Sequence, residues 1–340
     1  MTTSQTPAAP QAQPPGSPRQ VARVVKRFLL VLLIGTVLVV FGAFAYLKWL
    51  EGRIDRIPVE ELVSLEPTVP SIPRTFLIVG TDSRENVPDE FEDFFGDFGG
   101  SRTDVIMLVH FVPGVGAQLL SIPRDLKTNI PGWETNRINA AYARGGPDLL
   151  VQTIKQELGI SINHYIEIGF GGFAQLVDAI GGVTLDFDYP TRDLKSGLDV
   201  GAGLQHLDAE MALAYVRSRF YQEFRDGEWT SVGGADISRT RRQQRLLLAL
   251  FDHVTSRAGV FDLPGFVATL TDQITADEGL TAGVLLELGR DAMALRSGQL
   301  ETATLPVRAS NEERAYVVPI EPNAAVLLDA FRNGRSYPES

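Results

Sequence analysis

No cysteine occurs anywhere in the 340 residues, which rules out disulfides, zinc–thiolate centres and thiol nucleophiles together. It does not fix the compartment. Histidine is scarce: His110, His164, His206 and His253 are the four in the chain, and no two have metal-ligand spacing. Each reads as an ordinary surface or core residue. Positive charge is also in short supply. With 31 Lys and Arg against 42 Asp and Glu, the formal net charge is −11. A chain so acidic is repelled by a phosphate backbone, so general nucleic-acid binding is excluded. No internal repeat is visible. What remains is 44% hydrophobic and 21% charged, the composition of a globular protein with a sizeable core.

One long uncharged run stands out. "FLLVLLIGTVLVVFGAFAYL", residues 28–47, is long enough as a helix to span about 30 Å, the thickness of a bilayer core. Arg19, Arg23, Lys26 and Arg27 precede it, whereas Lys48, Arg53 and Arg56 behind it are mixed with Glu51 and Asp55. The positive-inside bias therefore puts residues 1–27, a Pro- and Gln-rich disordered tail, in the cytoplasm. Everything past residue 50 is expected outside the cell membrane. A cleaved leader is the alternative, because Ala43-Phe44-Ala45 resembles a cleavage site, but the run exceeds a usual signal core. Residues 48–73, with Pro58, Pro67, Pro70 and Pro73, read as a juxtamembrane linker.

From residue 74 the pattern alternates. "TFLIVG" (75–80), "DVIMLVHFV" (104–112) and "AQLLSIP" (117–123) are strands, the last two joined as a hairpin. Helical spacing follows at 148–158, then a strand "HYIEIG", a helix "FAQLVDAI" and a strand "VTLDFD". Helices are expected at 208–219, at 239–254 and at 281–296, and a last strand in "LETATLPV". This is an α/β order, predicting a mixed central β-sheet covered by helices on both faces and preceded by one transmembrane helix. The main domain is expected over 74–310, with 311–340 as a C-terminal extension.

Charged residues gather at the element ends. Asp82 closes the first strand, Arg102 and Asp104 open the second, and Arg124 and Asp125 close the third. Antiparallel neighbours would bring these ends onto one rim, where open α/β sheets build ligand sites. Seven arginines fall between residues 217 and 245, at 217, 219, 225, 239, 241, 242 and 245, against Glu223, Asp226, Glu228 and Asp236. A guanidinium fork binds phosphate oxygens in pairs. Asp236 or Ser238 could cap the helix carrying Arg239, whose first amides would add to an anion site. The competing reading is a solvated basic face and carboxylates that merely cap turns. Taken as a set, a Mg²⁺ and polyphosphate site explains them better, since Mg²⁺ takes one or two carboxylates plus substrate phosphates.

"FLIVGTDSR", "SRTDVIMLVHF", "LLSIPRDL", "RINAAYARGGPDLLVQTI", "VDAIGGVTLDF", "LDAEMALAYVRSR" and "DISRTRRQQ" run in the order seen in the LytR–CpsA–Psr family, and the chain resembles it over residues 74–256. The resemblance implies a membrane-anchored phosphotransferase. Such an enzyme moves an anionic glycopolymer from a polyprenyl-pyrophosphate carrier onto peptidoglycan. It implies Asp82 and Asp104 as Mg²⁺ ligands, with Mn²⁺ as a substitute, and Arg102 beside them. It implies Arg102, Arg124, Arg217, Arg219, Arg239 and Gln243 on the pyrophosphate, with Arg124, Arg217, Arg219 and Asp82 as the catalytic set. Asp125 and Asp82 are both candidates for the base. For Arg241, Arg242 and Arg245 a solvated basic face is the expectation, since they do not all fit one helix face with Arg239 and some must point to solvent. The stretch 85–100, acidic and rich in Phe, departs from the family pattern and reads as a surface loop or as a lid over the lipid entrance. Two rivals stay open: a polyprenyl-pyrophosphate pyrophosphatase, and an anchored receptor for anionic glycopolymer or lipid that transfers nothing.

Overall fold

The structure is a computed structural model. It describes residues 42–43, 45–64, 73–81, 103–112, 115–232, 235–257, 263–281, 283–285, 287–289, 299–312 and 316–338. Two units are distinguished, Met1–Trp49 and Leu50–Ser340. In the first, residues 42–43 and 45–49 are helical. Most of the expected span 28–47 lies outside the described residues, and among the described residues no helix is long and apolar enough to cross a membrane.

The second unit begins with strands β1 (Asp55–Ile57), β2 (Arg74–Thr81), β3 (Thr103–Val112), β4 (Gly116–Ser121), β5 (Lys127–Asn129) and β6 (Thr135–Arg137). Helix α1 (Asn139–Leu158), strand β7 (His164–Gly169), helix α2 (Phe170–Ala179) and strands β8 (Val183–Phe187), β9 (Thr191–Asp193), β10 (Leu198–Val200) and β11 (Gly203–Leu207) follow. Then come helix α3 (Ala209–Arg217), strands β12 (Gln222–Arg225) and β13 (Glu228–Ser231), and helices α4 (Ala235–Arg257) and α5 (Leu263–Gln273). The last elements are strands β14 (Ile274–Asp277), β15 (Leu300–Thr304), β16 (Val307–Ala309) and β17 (Val317–Pro319) and helix α6 (Asn323–Arg332).

The central sheet has the order β1-β14-β7-β2-β3-β4-β15. It is mixed: β2 pairs parallel with β7 and antiparallel with β3, and β3 pairs antiparallel with β4 as the expected hairpin. Successive side chains of a strand point to opposite faces, and both faces here are apolar. Leu77, Val79, Ile106, Leu108 and Leu120 join one core with Leu150, Ile154 and Leu158 of α1 and Leu327 and Phe331 of α6. Phe76, Phe111 and Ala117, one step out of phase, join a second with Ile274, Ala276, Leu285 and Leu270 of α5. Burial on both faces explains why these strands read as unbroken apolar runs. A third core lies among α2, α3, α4 and strand β8, around Val177, Leu185, Phe187, Tyr215 and Leu246.

Two boundaries differ from the sequence reading. The helix expected at 148–158 is the second half of α1, which kinks at Gly145 and Gly146; Gly146 has φ 62°, a left-handed conformation that favours glycine, and Pro147 starts the new segment. Residues past 310 do not form an appendage. Helix α6 places Leu327, Leu328 and Phe331 in the main core, because its apolar residues repeat at helical spacing against the sheet.

Candidate functional site

The site grows from strand register. β3 and β4 pair Met107 with Ser121 and Leu108 with Leu120. Continuing that register three steps past Met107 sets residue 104 opposite residue 124. The structure closes this pair as an ion pair and hydrogen bond between Arg124 and Asp104. On its other side β3 meets β2, where Thr81 faces Thr103 and Gly80 faces Val105, so Asp104 is the extra residue of a β-bulge. Bulges re-aim a side chain at the end of a strand. The two strands approach closely here: a Cβ on Gly80 would lie 2.9 Å from Cβ of Val105, so the position requires glycine.

The backbone of Arg124 is fixed independently. Its carbonyl accepts from the Asn139 amide at 3.2 Å, and the Leu126 amide donates to the Pro123 carbonyl at 3.0 Å. Asp125 flanks it, 3.6 Å from Nε of Arg124 and 3.2 Å from Nε of Arg137.

Two more arginines reach the same carboxylate. Arg219 Nη2 stands 3.7 Å from Oδ2 of Asp104, and Arg239 Nη2 stands 3.9 Å from Oδ1. Arg219 is half exposed, whereas Arg239 is only 3% exposed. Asp104 therefore anchors three guanidinium groups from three separate segments. Among the described residues, Arg124, Arg137, Arg219 and Arg239 stand around Asp104 and Asp125, a local excess of positive charge in an acidic protein.

Arg217 and Arg219, two residues apart, would diverge by about 200° on one continuing helix, and α3 ends between them. Asp208 caps its start by accepting from the Met211 amide at 2.8 Å, and the helix stops at Arg217, with Ser218 at φ −54°, ψ 125°. The Arg217 guanidinium lies 5.4 Å from the Phe170 ring centroid, while Arg219 turns to Asp104. Gln243 Nε2 donates to the Val216 carbonyl at 3.5 Å. Asp82, Arg102 and the 85–100 stretch lie outside the described residues.

Helix α4 begins at Ala235, which places Asp236 and Ser238 within its first turn. Arg239, Arg242, Gln243 and Leu246 share its buried stripe at helical spacing, while Arg241 and Arg245 are exposed. The expectation of solvent around Arg242 is thus corrected: it is 6% exposed, donates to the Ser218 carbonyl and lies 4.5 Å from the Tyr221 ring centroid. Burial pushes its pKa below the ordinary arginine value, with Tyr215, Tyr221 and Asp193 pulling the other way.

Three further residues escaped the sequence reading. Gln244 bolts α4 to the sheet end, donating at 2.7 Å to both Ser121 Oγ and the Ala303 carbonyl. Glu167 accepts from the hydroxyls of Tyr165 at 2.6 Å, Tyr142 at 2.8 Å and Thr81 at 3.2 Å, tying the first turn of α1 to the sheet. Asp193 gathers the turn after α3. The partners that matter here are distant in sequence: Ser121 and Ala303 for Gln244, Tyr142 and Thr81 for Glu167, and the 218–220 turn for Asp193.

A mixed α/β domain with this architecture is already represented among solved structures. A LytR-Csp2A-Psr enzyme from Actinomyces oris superposes with a TM-score of 0.67 at 29% identity, over 82% of this chain and 96% of that one. TagV of Bacillus subtilis superposes with a TM-score of 0.62 over 80% of this chain and 100% of that one; its 22% identity makes this a likeness of fold alone. The chain belongs to the LytR_cpsA_psr family, whose model matches residues 58–330. Over 310 residues it is 36% identical to a protein of Corynebacterium glutamicum named "Probable cell wall biosynthesis protein LcpB", covering 89% of this chain and 70% of that protein. It is 31% identical over 208 residues to TagV of Bacillus subtilis, named a polyisoprenyl-teichoic acid–peptidoglycan teichoic acid transferase. That match covers 58% of this chain and half of TagV.

Proposed function

We propose that this chain is a cell-wall phosphotransferase, moving an anionic glycopolymer from a polyprenyl-pyrophosphate carrier onto peptidoglycan. The observation that carries the reading is the convergence of Arg124, Arg219 and Arg239 on Asp104. Several guanidinium groups around one carboxylate make a seat for a multivalent anion, and a pyrophosphate supplies the charge and the oxygens. Family membership and the name of LcpB support a role in cell-wall biosynthesis, and the name of TagV supports the polymer and acceptor classes.

Phosphoryl transfer asks a protein for positioning and charge neutralisation. In this reading Arg124, Arg219 and Arg239 grip non-bridging oxygens and stabilise the departing lipid phosphate, with Arg102, Arg217 and Gln243 completing the grip. Asp104 and Asp82 would hold Mg²⁺, or Mn²⁺ in its place, which supplies charge neutralisation on the pyrophosphate. Among the described residues no three His, Asp or Glu side chains form a metal cage. Mg²⁺ needs none, since one or two carboxylates plus substrate phosphates suit it, and Asp104 offers such a carboxylate at the rim of the site. Asp125 is already ion-paired with Arg124 and Arg137 and serves to hold them. In this reading Asp82 is the base that takes the proton from a peptidoglycan hydroxyl. The domain works outside the cell membrane, held by a single anchor at 28–47 with the N-terminus in the cytoplasm.

A product assay tests this. The full-length chain is mixed with a polyprenyl-pyrophosphate-linked glycopolymer and peptidoglycan. Polymer joined to peptidoglycan is the expected product. Free phosphate in its place would make the protein a pyrophosphatase, and binding without either product would make it a receptor. External protease on spheroplasts should digest the domain beyond residue 74, and protection there would contradict the location.

A further inference from the structure

Arg219 serves an anion only if the chain that carries it leaves the helix at the right residue. Had α3 continued, the amides of Arg219 and Phe220 would donate to the carbonyls of Tyr215 and Val216, four residues back. Side chains intercept both halves of that ladder. Asp193, 1% exposed, takes the donors: its Oδ2 accepts from the Arg219 amide at 2.9 Å, the Phe220 amide at 2.8 Å and Ser218 Oγ at 2.7 Å. Its Oδ1 accepts from the amides of Lys195 at 2.9 Å and Ser196 at 3.4 Å, which fix the carboxylate in its own turn. From α4, Gln243 donates to the Val216 carbonyl, one of the two acceptors, and Arg242 donates to the Ser218 carbonyl inside the turn itself.

We propose that Asp193 and Arg242 are positioning residues that grip the Ser218–Phe220 turn, one at its donors and the other at its carbonyl, ending α3 at Arg217 and holding the Arg219 guanidinium on the anion site. The inference rests on the anion-site reading above. It explains why two charged groups are buried beside a short turn, an arrangement that is costly unless each is well hydrogen-bonded. It also divides the arginines of α4 by task. Arg239 reaches Asp104 directly, whereas Arg242, one turn further along the same buried stripe, supports Arg219 through its backbone.

The test is a double-mutant cycle on the full-length chain, reading the affinity for inorganic pyrophosphate by calorimetry. Arg219→Ala should weaken binding about 10- to 100-fold, as for loss of a charged hydrogen-bond donor. Asp193→Asn, nearly the same size but with an acceptor oxygen replaced by a donor, should weaken it about tenfold in the parent and less than about twofold once Arg219 is alanine. Arg242→Met should show the same collapse. A residue that merely supports the fold would cost the same factor in both backgrounds, and that additivity overturns the proposal, as does an unchanged affinity in the single variants. If Asp193→Asn does not fold, Ser218→Ala, which deletes one of the three bonds from the turn, runs the same cycle with an expected loss of about two- to fivefold that again vanishes without Arg219. A parent chain that does not bind pyrophosphate overturns the anion site and the grip with it. A parent that binds but transfers no polymer contradicts only the transferase reading, and the cycle still decides the roles of Asp193 and Arg242.

Discussion

Replacing Asp104 with asparagine should move stability and anion affinity in opposite directions. Asp104 is the shared counter-ion of Arg124, Arg219 and Arg239, and the second and third stand 3.7 and 3.9 Å away. At those separations, with an effective dielectric constant near 20, each attraction is worth about 4 kcal/mol before solvent is considered. Arg219 is half exposed, and screening reduces its share to about 1 kcal/mol or less. Arg239 is buried and retains more of its attraction, though desolvation already offsets part of it. A net loss of about 2–4 kcal/mol is therefore expected for Asp104→Asn, because three cations are left facing one another. The same excess charge should draw in pyrophosphate more strongly, since the anion no longer competes with the carboxylate. Urea unfolding of the full-length chain, in chelator and with or without inorganic pyrophosphate, reads both effects. At a hundredfold excess over its dissociation constant the ligand should restore about 2.7 kcal/mol. A variant as stable as the parent, or one stabilised less than the parent by pyrophosphate, would refute the idea of a single carboxylate balancing three arginines.

Arg217→Ala and Arg219→Ala should each cost about 2–4 kcal/mol of transition-state stabilisation in the transfer assay. Lysine at either position should recover little, because it restores charge without the planar fork; full activity in a Lys variant would contradict this. His110 has its pKa lowered from 6.5 by burial, and Nδ1 lies 3.0 Å from Thr75 Oγ1. The folded state thus favours neutral imidazole. Its contribution is complete above the unfolded value and falls away as pH drops from 6.5 through the folded value, so His110→Gln should flatten the stability–pH curve in that window. Phe331, 1% exposed in the main core, should cost about 3–5 kcal/mol as alanine in urea unfolding, and a loss below about 1 kcal/mol would mean that α6 is dispensable.

The central strands were legible because burial on both faces leaves no polar alternation to confuse, and the hairpin of β3 and β4 follows from two apolar runs around a tight turn. The shared rim of Asp104 and Arg124 was legible for the same reason, whereas their direct ion pair shows only once the β3–β4 register is extended to them. The small sheet of β10, β9, β12 and β13 was not. Its strands are three or four residues long and polar, and they are braced by pairs such as Arg192 over Trp229 at 4.0 Å, far apart in sequence. Asp193 was invisible likewise, because its partners in the 218–220 turn are 25 to 27 residues away. Arg242 differed for another reason. Counting cations along α4 assigned it to solvent, and only the direction of the buried stripe separates it from Arg241 and Arg245.

The bulge at Asp104 carries one more consequence. A residue that belongs to the pairing ladder cannot turn without disturbing its neighbours, and substitutions in the core of such a strand are felt along its length. Asp104 is supernumerary on the β2 side: Thr103 and Val105 have partners on β2, and the β2–β3 register passes over it. On the β2 side, the carboxylate on which three arginines converge is therefore released from the ladder of the strand that bears it. The carboxylate can yield its arginines to an incoming anion, or turn to a metal, without breaking a rung of the β2–β3 ladder.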